Sequence, residues 1–150
     1  MFTLRNILRY AKANSVYVDT PCYSHKGKYR MLKSNVFFRL SNNDCLFIQK
    51  GVYWDESSVP YILQWAFPKS GIYAIPSLIH DALYFKTETS REFADKEFKT
   101  WMQALGTSKF QVFFRYWAVK LFGWIYWRKN INNPSERCLH NRELIYIIKS

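Results

Sequence analysis

Residues 35–54 read NVFFRLSNNDCLFIQKGVYW and contain the clearest strand pattern of the chain. Two runs of β-branched and aromatic residues lie on either side of the tetrapeptide SNND at residues 41–44. Such runs favour strands, and the Asn and Asp side chains between them favour a tight turn. We therefore predict a β-hairpin over this stretch.

The residues before the hairpin are less regular. Residues 14–30 alternate at first and contain Pro21 and Gly27, which predicts a short strand followed by a basic loop. At the N-terminus, apolar residues recur at helical spacing between basic ones, which predicts a short basic amphipathic helix over residues 2–12.

The residues after the hairpin carry helix signals. Pro60 can begin a helix over residues 61–67, and Pro76 precedes a second helix over residues 77–85. Thr89 and Glu92 match a capping box for a third helix. Its apolar face consists of Phe98, Trp101, Met102 and Leu105.

Gly106 ends that third helix, and a last long helix is predicted over residues 109–127. The chain has no internal repeat and no linker, and 150 residues fit a single domain. The order of elements predicts an α+β fold, with a small antiparallel sheet in the N-terminal half packed by a C-terminal cluster of about four helices.

The charge of the chain implies attraction to something anionic. The formal net charge is +11, distributed as +7 over residues 1–50, −2 over residues 51–106 and +6 over residues 107–150. A basic shell around an acidic centre fits a cation site or an anionic partner, although solvated lysines and arginines explain most such surfaces.

No membrane span, signal peptide or disulfide framework is predicted. The N-terminus lacks an uninterrupted apolar region and a cleavage site. The last helix is interrupted by Arg115 and Lys120, and its longest apolar run, LFGWIYW, falls short of the ~20 residues of a span. That helix packs in the core or serves as an interfacial, partner-binding helix. The cysteines Cys22, Cys45 and Cys138 form no CxxC pattern, which favours a reducing interior.

The run LIHDALY, residues 78–84, places a histidine and an aspartate side by side among apolar residues. His80 and Tyr84 lie one helical turn apart on the same face, and Asp95 falls at the edge of the apolar face of the next helix. Asp55 follows a predicted strand, where it either joins these groups or caps the following helix.

Imidazole and carboxylate groups suit divalent cations. We therefore expect a candidate site for a single ion (Zn, Mn, Fe or Mg) held by Asp55, His80, Asp81 and Asp95, with Tyr84 orienting a ligand or steadying an oxyanion. The alternative is a buried hydrogen-bonded network that fixes one element against another.

Four stretches resemble the motifs of one family. They are GVYWDESSVP (residues 51–60), AIPSLIHDALY (74–84), SREFADKEFKTWMQALG (90–106) and YWAVKLFG (116–123). Together they resemble the phage and prophage domain of unknown function DUF1353 over about residues 36–123. The basic N-terminal arm, residues 1–35, and the basic tail, residues 124–150, lie outside the resemblance.

The resemblance implies an origin in a bacteriophage or prophage but no settled activity. It matches six residues to the polar positions of the family: Asp55, Ser58, His80, Asp81, Tyr84 and Asp95. The chain departs from the pattern at Trp54, where the family has a threonine, and at Glu56 and Ser57. A missing threonine hydroxyl would impair this member if that group were a ligand.

Three functions remain open on this basis. The first is a virion or virion-assembly component, in the particle or the host cytoplasm, whose partners are other phage proteins. The second is a metal-dependent hydrolase in which a metal-bound water attacks an anionic polymer, either nucleic acid or cell-wall material. The third is an accessory that binds nucleic acid or a host factor through a basic segment with interleaved tyrosines, which contains Lys26, Lys28, Arg30 and Lys33.

Overall fold

A computed structural model of the chain describes residues 18–24, 27–32, 35–54 and 74–150. Six strands and four helices lie in these ranges. In chain order they are β1 (Val18–Ser24), β2 (Gly27–Leu32), β3 (Val36–Arg39), β4 (Cys45–Ile48), β5 (Tyr53–Trp54), α1 (Ala74–Lys86), α2 (Arg91–Ala104), α3 (Lys109–Asn132), α4 (Glu136–Glu143) and β6 (Ile145–Ile148). The helices predicted over residues 2–12 and 61–67 lie outside the described residues.

The predicted hairpin is confirmed as β3 and β4. These strands pair antiparallel from Val36 opposite Ile48 to Arg39 opposite Cys45. Asn43 in the turn has a φ of 71°, a left-handed conformation that Asn tolerates better than most residues. Alternate side chains face the core, because successive residues of a strand point to opposite faces.

The strands form two three-stranded antiparallel sheets with the orders β1-β2-β5 and β3-β4-β6. The α+β class is therefore confirmed. The predicted basic loop after β1 is wrong, because residues 27–32 form β2 and pair with both β1 and β5. Local composition favoured a loop there, but pairing with β5, more than twenty residues downstream, satisfies the β2 backbone as a strand.

The C-terminal segment contributes the third strand of the second sheet. β6 pairs antiparallel with β4, with Cys45 opposite Ile148 and Ile48 opposite Ile145. Residues 124–150 therefore continue α3, form α4 and complete a sheet whose other strands come from the first third of the chain. Cys45 and Cys138 are free thiols.

The helix boundaries follow local capping chemistry, with one shift from the prediction. The N-cap of α2 is Ser90, whose hydroxyl accepts a hydrogen bond from the Phe93 N–H, so the predicted cap at Thr89 is wrong by one residue. Gly106 follows α2 with a φ of 81°, as expected of a glycine that ends a helix. α1 and α3 are both longer than predicted.

The core lies between α1 and the two sheets. Its largest buried side chains include Trp54 of β5, Phe38 of β3 and Trp101 of α2. Phe38 and Trp101 meet edge to face with ring centroids 5.3 Å apart. None of the helices in the described ranges combines the length and the apolar character that crossing a membrane requires.

Candidate functional site

The run LIHDALY lies within α1, at the centre of the fold. Residues 75–85 are all buried, and α1 contacts α2, α3, α4, β5 and β6. A helix covered on every side must find partners for its polar side chains within the protein, because an unpartnered buried polar group costs free energy. His80 and Asp81 therefore depend on neighbouring helices.

Asp95 of α2 provides the main partner. Its Oδ1 atom lies 2.9 Å from His80 Nε2 and accepts a hydrogen bond of 2.7 Å from the Tyr84 hydroxyl. Its Oδ2 atom accepts a hydrogen bond of 3.3 Å from Arg91 Nη1. Asp95 is only 2% exposed, so three donors replace the water that its carboxylate loses. We call His80, Asp81, Tyr84, Arg91 and Asp95 the Asp95 cluster.

The third helix, α3, closes on the cluster from the other side. Arg91 Nη1 also donates a hydrogen bond of 3.0 Å to the Lys120 carbonyl, and Asn130 Nδ2 donates one of 3.0 Å to the Tyr84 carbonyl. Gly123 approaches Tyr84 so closely that a Cβ there would overlap the tyrosine hydroxyl. The cluster thus joins α1, α2 and α3 at one buried point.

The electrostatics of the cluster favour a protonated His80. Burial by itself lowers the pKa of this imidazole, but hydrogen bonding and Coulombic attraction from Asp81 and Asp95 outweigh burial and raise the pKa above its ordinary value. The pKa of the Tyr84 hydroxyl is also raised, first by burial and then by the Asp95 charge. Tyr84 therefore stays a hydrogen-bond donor.

The geometry of the two carboxylates argues against a common ion. Asp95 faces His80 Nε2, whereas Asp81 Oδ1 lies 3.6 Å from His80 Nδ1. Because these nitrogens lie on different edges of one ring, the carboxylates do not converge on a single point. Within residues 18–24, 27–32, 35–54 and 74–150, no three His, Cys, Asp or Glu residues form a group that could hold a metal ion.

The predicted site residues have different outcomes. His80, Asp81, Tyr84 and Asp95 do come together, on α1 and α2. Asp55 and Ser58 lie outside the described residues, so a metal site completed by Asp55 stays a prediction. Of the predicted nucleic-acid segment, Lys26 and Lys33 also lie outside, and Lys28 and Arg30 belong to β2, where the backbone alone is described.

Sequence reasoning missed two members of this site. Arg91 lies four residues before Asp95, a spacing that brings their side chains together on a helix, so its role could have been predicted. Gly123 closes the motif YWAVKLFG, and its role depends on the close approach of two helices. Sequence spacing does not reveal such an approach.

Glu97 is a further buried acid that the sequence analysis did not select. It accepts hydrogen bonds from the Ser41 N–H, from the Ser41 hydroxyl and from Trp101 Nε1. Burial raises the pKa of this carboxyl, although the bonds from Ser41 and Trp101 oppose the shift. Glu97 anchors α2 to the turn between β3 and β4 and lies at the helical spacing of Trp101, which could have indicated its inward position.

The outer face of α3 is the second notable feature. Nine large apolar residues of α3 are 42–70% exposed. Six of them follow one face of the helix. We call this set the α3 stripe: Phe110, Phe114, Trp117, Leu121, Trp124 and Ile131. Folded monomers rarely expose a large contiguous apolar patch to water. Where such a patch occurs, it marks an interaction site.

The fold and the cluster define a small α+β domain whose three central helices are tied together by buried polar contacts. The chain belongs to the family described as protein of unknown function (DUF1353), whose model matches residues 30–119. The matched region includes His80, Asp81, Tyr84, Arg91 and Asp95 and ends four residues before Gly123. Comparisons with curated proteins and with solved structures give no match.

Proposed function

We propose that this chain is a phage-encoded virion or virion-assembly protein that binds another protein through the α3 stripe. The observation that carries the proposal is the exposure of six large apolar side chains along one face of a helix whose opposite face packs in the core. The stripe extends about 32 Å along the helix axis, at 1.5 Å per residue.

The spacing of the stripe indicates what kind of surface would cover it. Phe110, Phe114, Trp117, Leu121 and Trp124 follow one another at steps of four and three residues. Arg128 and Ile131 continue the same alternation. A 4–3 repeat is the heptad pattern by which one helix packs along another. The partner element is therefore a helix lying along α3.

The charge of α3 indicates which residues the partner helix carries. The helix contains five basic residues and no Asp or Glu. Arg128 occupies a position within the stripe, where an opposing carboxylate would neutralise it. A second copy of α3 would bring like charges together, which is unfavourable. We infer that the partner helix carries an apolar seam flanked by acidic residues.

The Asp95 cluster supports a binding role more than a catalytic one. His80, Tyr84 and Asp95 are each at most 5% exposed, and both Asp95 oxygens already accept hydrogen bonds. A buried network of this kind fixes helices against one another. Here it holds α3 on the domain with its stripe facing outward.

The virion assignment depends on the phage and prophage origin that the family resemblance implies. Assembly proteins of particles act through protein–protein interfaces, and interface cores are enriched in Trp, Tyr and Phe. The aromatic content of the chain, 19%, fits that chemistry.

A binding assay tests the interface. The probe is a synthetic peptide of about three heptads with Leu at the seam and Glu at the flanking positions. We expect the full chain to bind it, and the double variant Leu121→Ser, Trp124→Ser to lose most of this affinity. Phe122→Ser with Tyr126→Ser is the matched control, because it truncates two exposed side chains of α3 outside the stripe.

Other outcomes contradict the proposed interface. Stripe-dependent binding to phosphatidylserine vesicles without peptide binding would assign the stripe to a lipid surface. Concentration-dependent self-association that is lost in the stripe variant would assign it to a second copy. Mass spectrometry of purified particles and assembly intermediates tests the virion role, which fails if the chain is present in infected cells and absent from both.

A metal-dependent hydrolase is the second candidate. In its favour, His80 lies 3.6 Å from Asp81 and 2.9 Å from Asp95, although the two carboxylates face different nitrogens of the ring. In that reading, Asp55 would complete the ligand set with His80, Asp81 and Asp95, and a divalent cation held there would supply the Lewis acidity that activates a water for hydrolysis of an ester, amide or phosphodiester. Metal content, described in the Discussion, separates this candidate from the first.

A further inference from the structure

A cleft opens between the C-terminal half of α2 and the first turns of α3. Its volume is about 760 Å³, within the range of small-molecule sites. Its walls include two lysines, one threonine and three aromatic residues: Lys99, Thr107, Lys109, Phe113, Tyr116 and Trp117. None of these residues belongs to the Asp95 cluster.

One end of the cleft is suited to an anion. Lys99 comes from α2 and Lys109 from α3, and no acidic side chain from the described part of the chain lines the cleft. Lys109 is also the first residue of α3, and the N-terminal turn of a helix carries partial positive charge on its free N–H groups. Two cations therefore line the same space, beside the first turn of α3 and without a counter-charge from the described residues.

Thr107 gives an independent indication of a ligand. This residue is 8% exposed, and its hydroxyl oxygen is buried with no hydrogen-bond partner among the described residues. Leaving a buried hydroxyl without a hydrogen-bond partner is unfavourable. Because Thr107 also lines the cleft, a ligand oxygen bound there is a candidate for the missing partner.

The other walls of the cleft are aromatic. Phe113 is 57% exposed and Trp117 is 42% exposed, so both present ring surface to a ligand. The Nζ atom of Lys99 lies 5.0 Å from the centroid of the Tyr116 ring, and that ring contacts Trp117. Exposed rings beside lysines are the combination that stacks a base and holds its phosphate.

We propose that this cleft binds a nucleoside phosphate, with the phosphate held by Lys99, Lys109 and Thr107 and the base stacked on Phe113 or Trp117. The nucleotide comes either from the free pool or from a single-stranded nucleic acid. This site is separate from the proposed protein interface, apart from Trp117, which belongs to both, so the variants below leave Trp117 unchanged.

Calorimetric titration of the full chain at low salt tests the proposal. The probes are adenosine monophosphate, inorganic phosphate, adenosine and an oligothymidine. We expect adenosine monophosphate to bind more tightly than phosphate or adenosine alone, and its affinity to fall as salt is raised. The double variant Lys99→Gln, Lys109→Gln should bind it at least about tenfold more weakly.

The control is Lys50→Gln with Lys129→Gln, which removes the same charge from two exposed lysines outside the cleft. Thr107→Val should weaken phosphate and nucleotide binding without loss of fold, since it removes an unpartnered hydroxyl. Phe113→Leu should weaken nucleotide binding but not phosphate binding. Circular dichroism checks the fold of each variant.

The oligothymidine distinguishes the two sources of the nucleotide. Tighter binding of the oligomer than of the monophosphate, with the same dependence on Lys99 and Lys109, assigns the site to a strand, and equal binding assigns it to free nucleotide. The proposal is overturned if millimolar monophosphate gives no binding, or if the cleft variant and its charge-matched control bind any of these probes equally.

Discussion

Gly123 of α3 and Tyr84 of α1 lie so close that the glycine position has no room for a side chain. The Tyr84 hydroxyl donates to Asp95, and a Cβ on Gly123 would overlap that hydroxyl. Glycine is otherwise unfavourable in the middle of a helix, but at position 123 it lets α3 close over the Asp95 cluster.

The substitution Gly123→Ala tests this contact, because the contact decides whether the substitution lowers or raises the free energy of unfolding. Ala raises helix propensity by about 1 kcal/mol, but overpacking costs about 1–3 kcal/mol. We expect a net loss in the free energy of unfolding, measured in urea. In a Tyr84→Phe background the hydroxyl is absent and the nearest ring carbon is 3.3 Å from the Cβ position, so the same substitution should cost less. A stabilising effect with Tyr84 present would contradict the close approach.

His80 makes the stability of the fold depend on pH. Its pKa is raised on folding, so the folded chain holds the proton more tightly than the unfolded chain does. This stabilisation is fully present below the unfolded pKa of about 6.5 and is lost as pH rises through the folded pKa. We expect the free energy of unfolding to fall as pH rises above about 6.5.

The control for this pH dependence is His80→Gln, measured over the same pH series. Glu97 also has a raised pKa and acts in the same direction, but it remains in both proteins and cancels in the difference. If the free energy of unfolding depended on pH in the same way in the wild type and in the variant, the assignment of this pH dependence to His80 would be wrong.

Arg142 joins the C-terminal ends of two helices, and its removal should loosen both. Its Nε donates a hydrogen bond of 2.8 Å to the Phe85 carbonyl in α1, and its Nη2 donates one of 2.9 Å to the Asn130 carbonyl in α3. A cation also interacts favourably with the negative ends of these helices.

We expect Arg142→Ala to cost about 2–4 kcal/mol of unfolding free energy, since two charge-assisted hydrogen bonds are lost. The rate of backbone amide hydrogen exchange should increase more in the last turns of α1 and α3 than elsewhere. Glu143→Ala, at the neighbouring exposed position, should change neither measurement by a comparable amount.

Metal content separates the two candidate functions. We expect purified protein incubated with Zn, Mn, Fe or Mg to retain no stoichiometric ion, because Asp81 and Asp95 flank opposite nitrogens of His80 and do not converge. Elemental analysis of the wild type and of the Asp81→Ala, Asp95→Ala variant gives the comparison. Glu92→Ala removes an exposed acid as the control.

A bound ion that is lost in a folded double variant and kept in the control would favour the hydrolase instead. The same result would direct attention to Asp55 as the further ligand. The double variant should be less stable whichever function holds, since Asp95 accepts three hydrogen bonds.

Much of the site was accessible from the sequence because its members repeat at helical spacing. His80 and Tyr84 are one turn apart, and Asp95 lies at the edge of an apolar face, so their convergence was predicted. The contribution of Gly123 was not, because no spacing within α3 reveals which residue of another helix comes near. The pairing that makes residues 27–32 a strand was missed for the same reason.

The sequence by itself determined the elements whose cause is local. The Asn and Asp residues between two strand-forming runs fix the turn of the β3–β4 hairpin, and Gly106 ends α2. The tertiary structure decided which distant segments meet. β6 completes the sheet of β4 from the other end of the chain, and the donors of the Asp95 cluster surround one carboxylate. Which segments come into contact depends on packing and on the pairing of buried polar groups across the fold. Neighbouring residues in the chain do not specify these interactions.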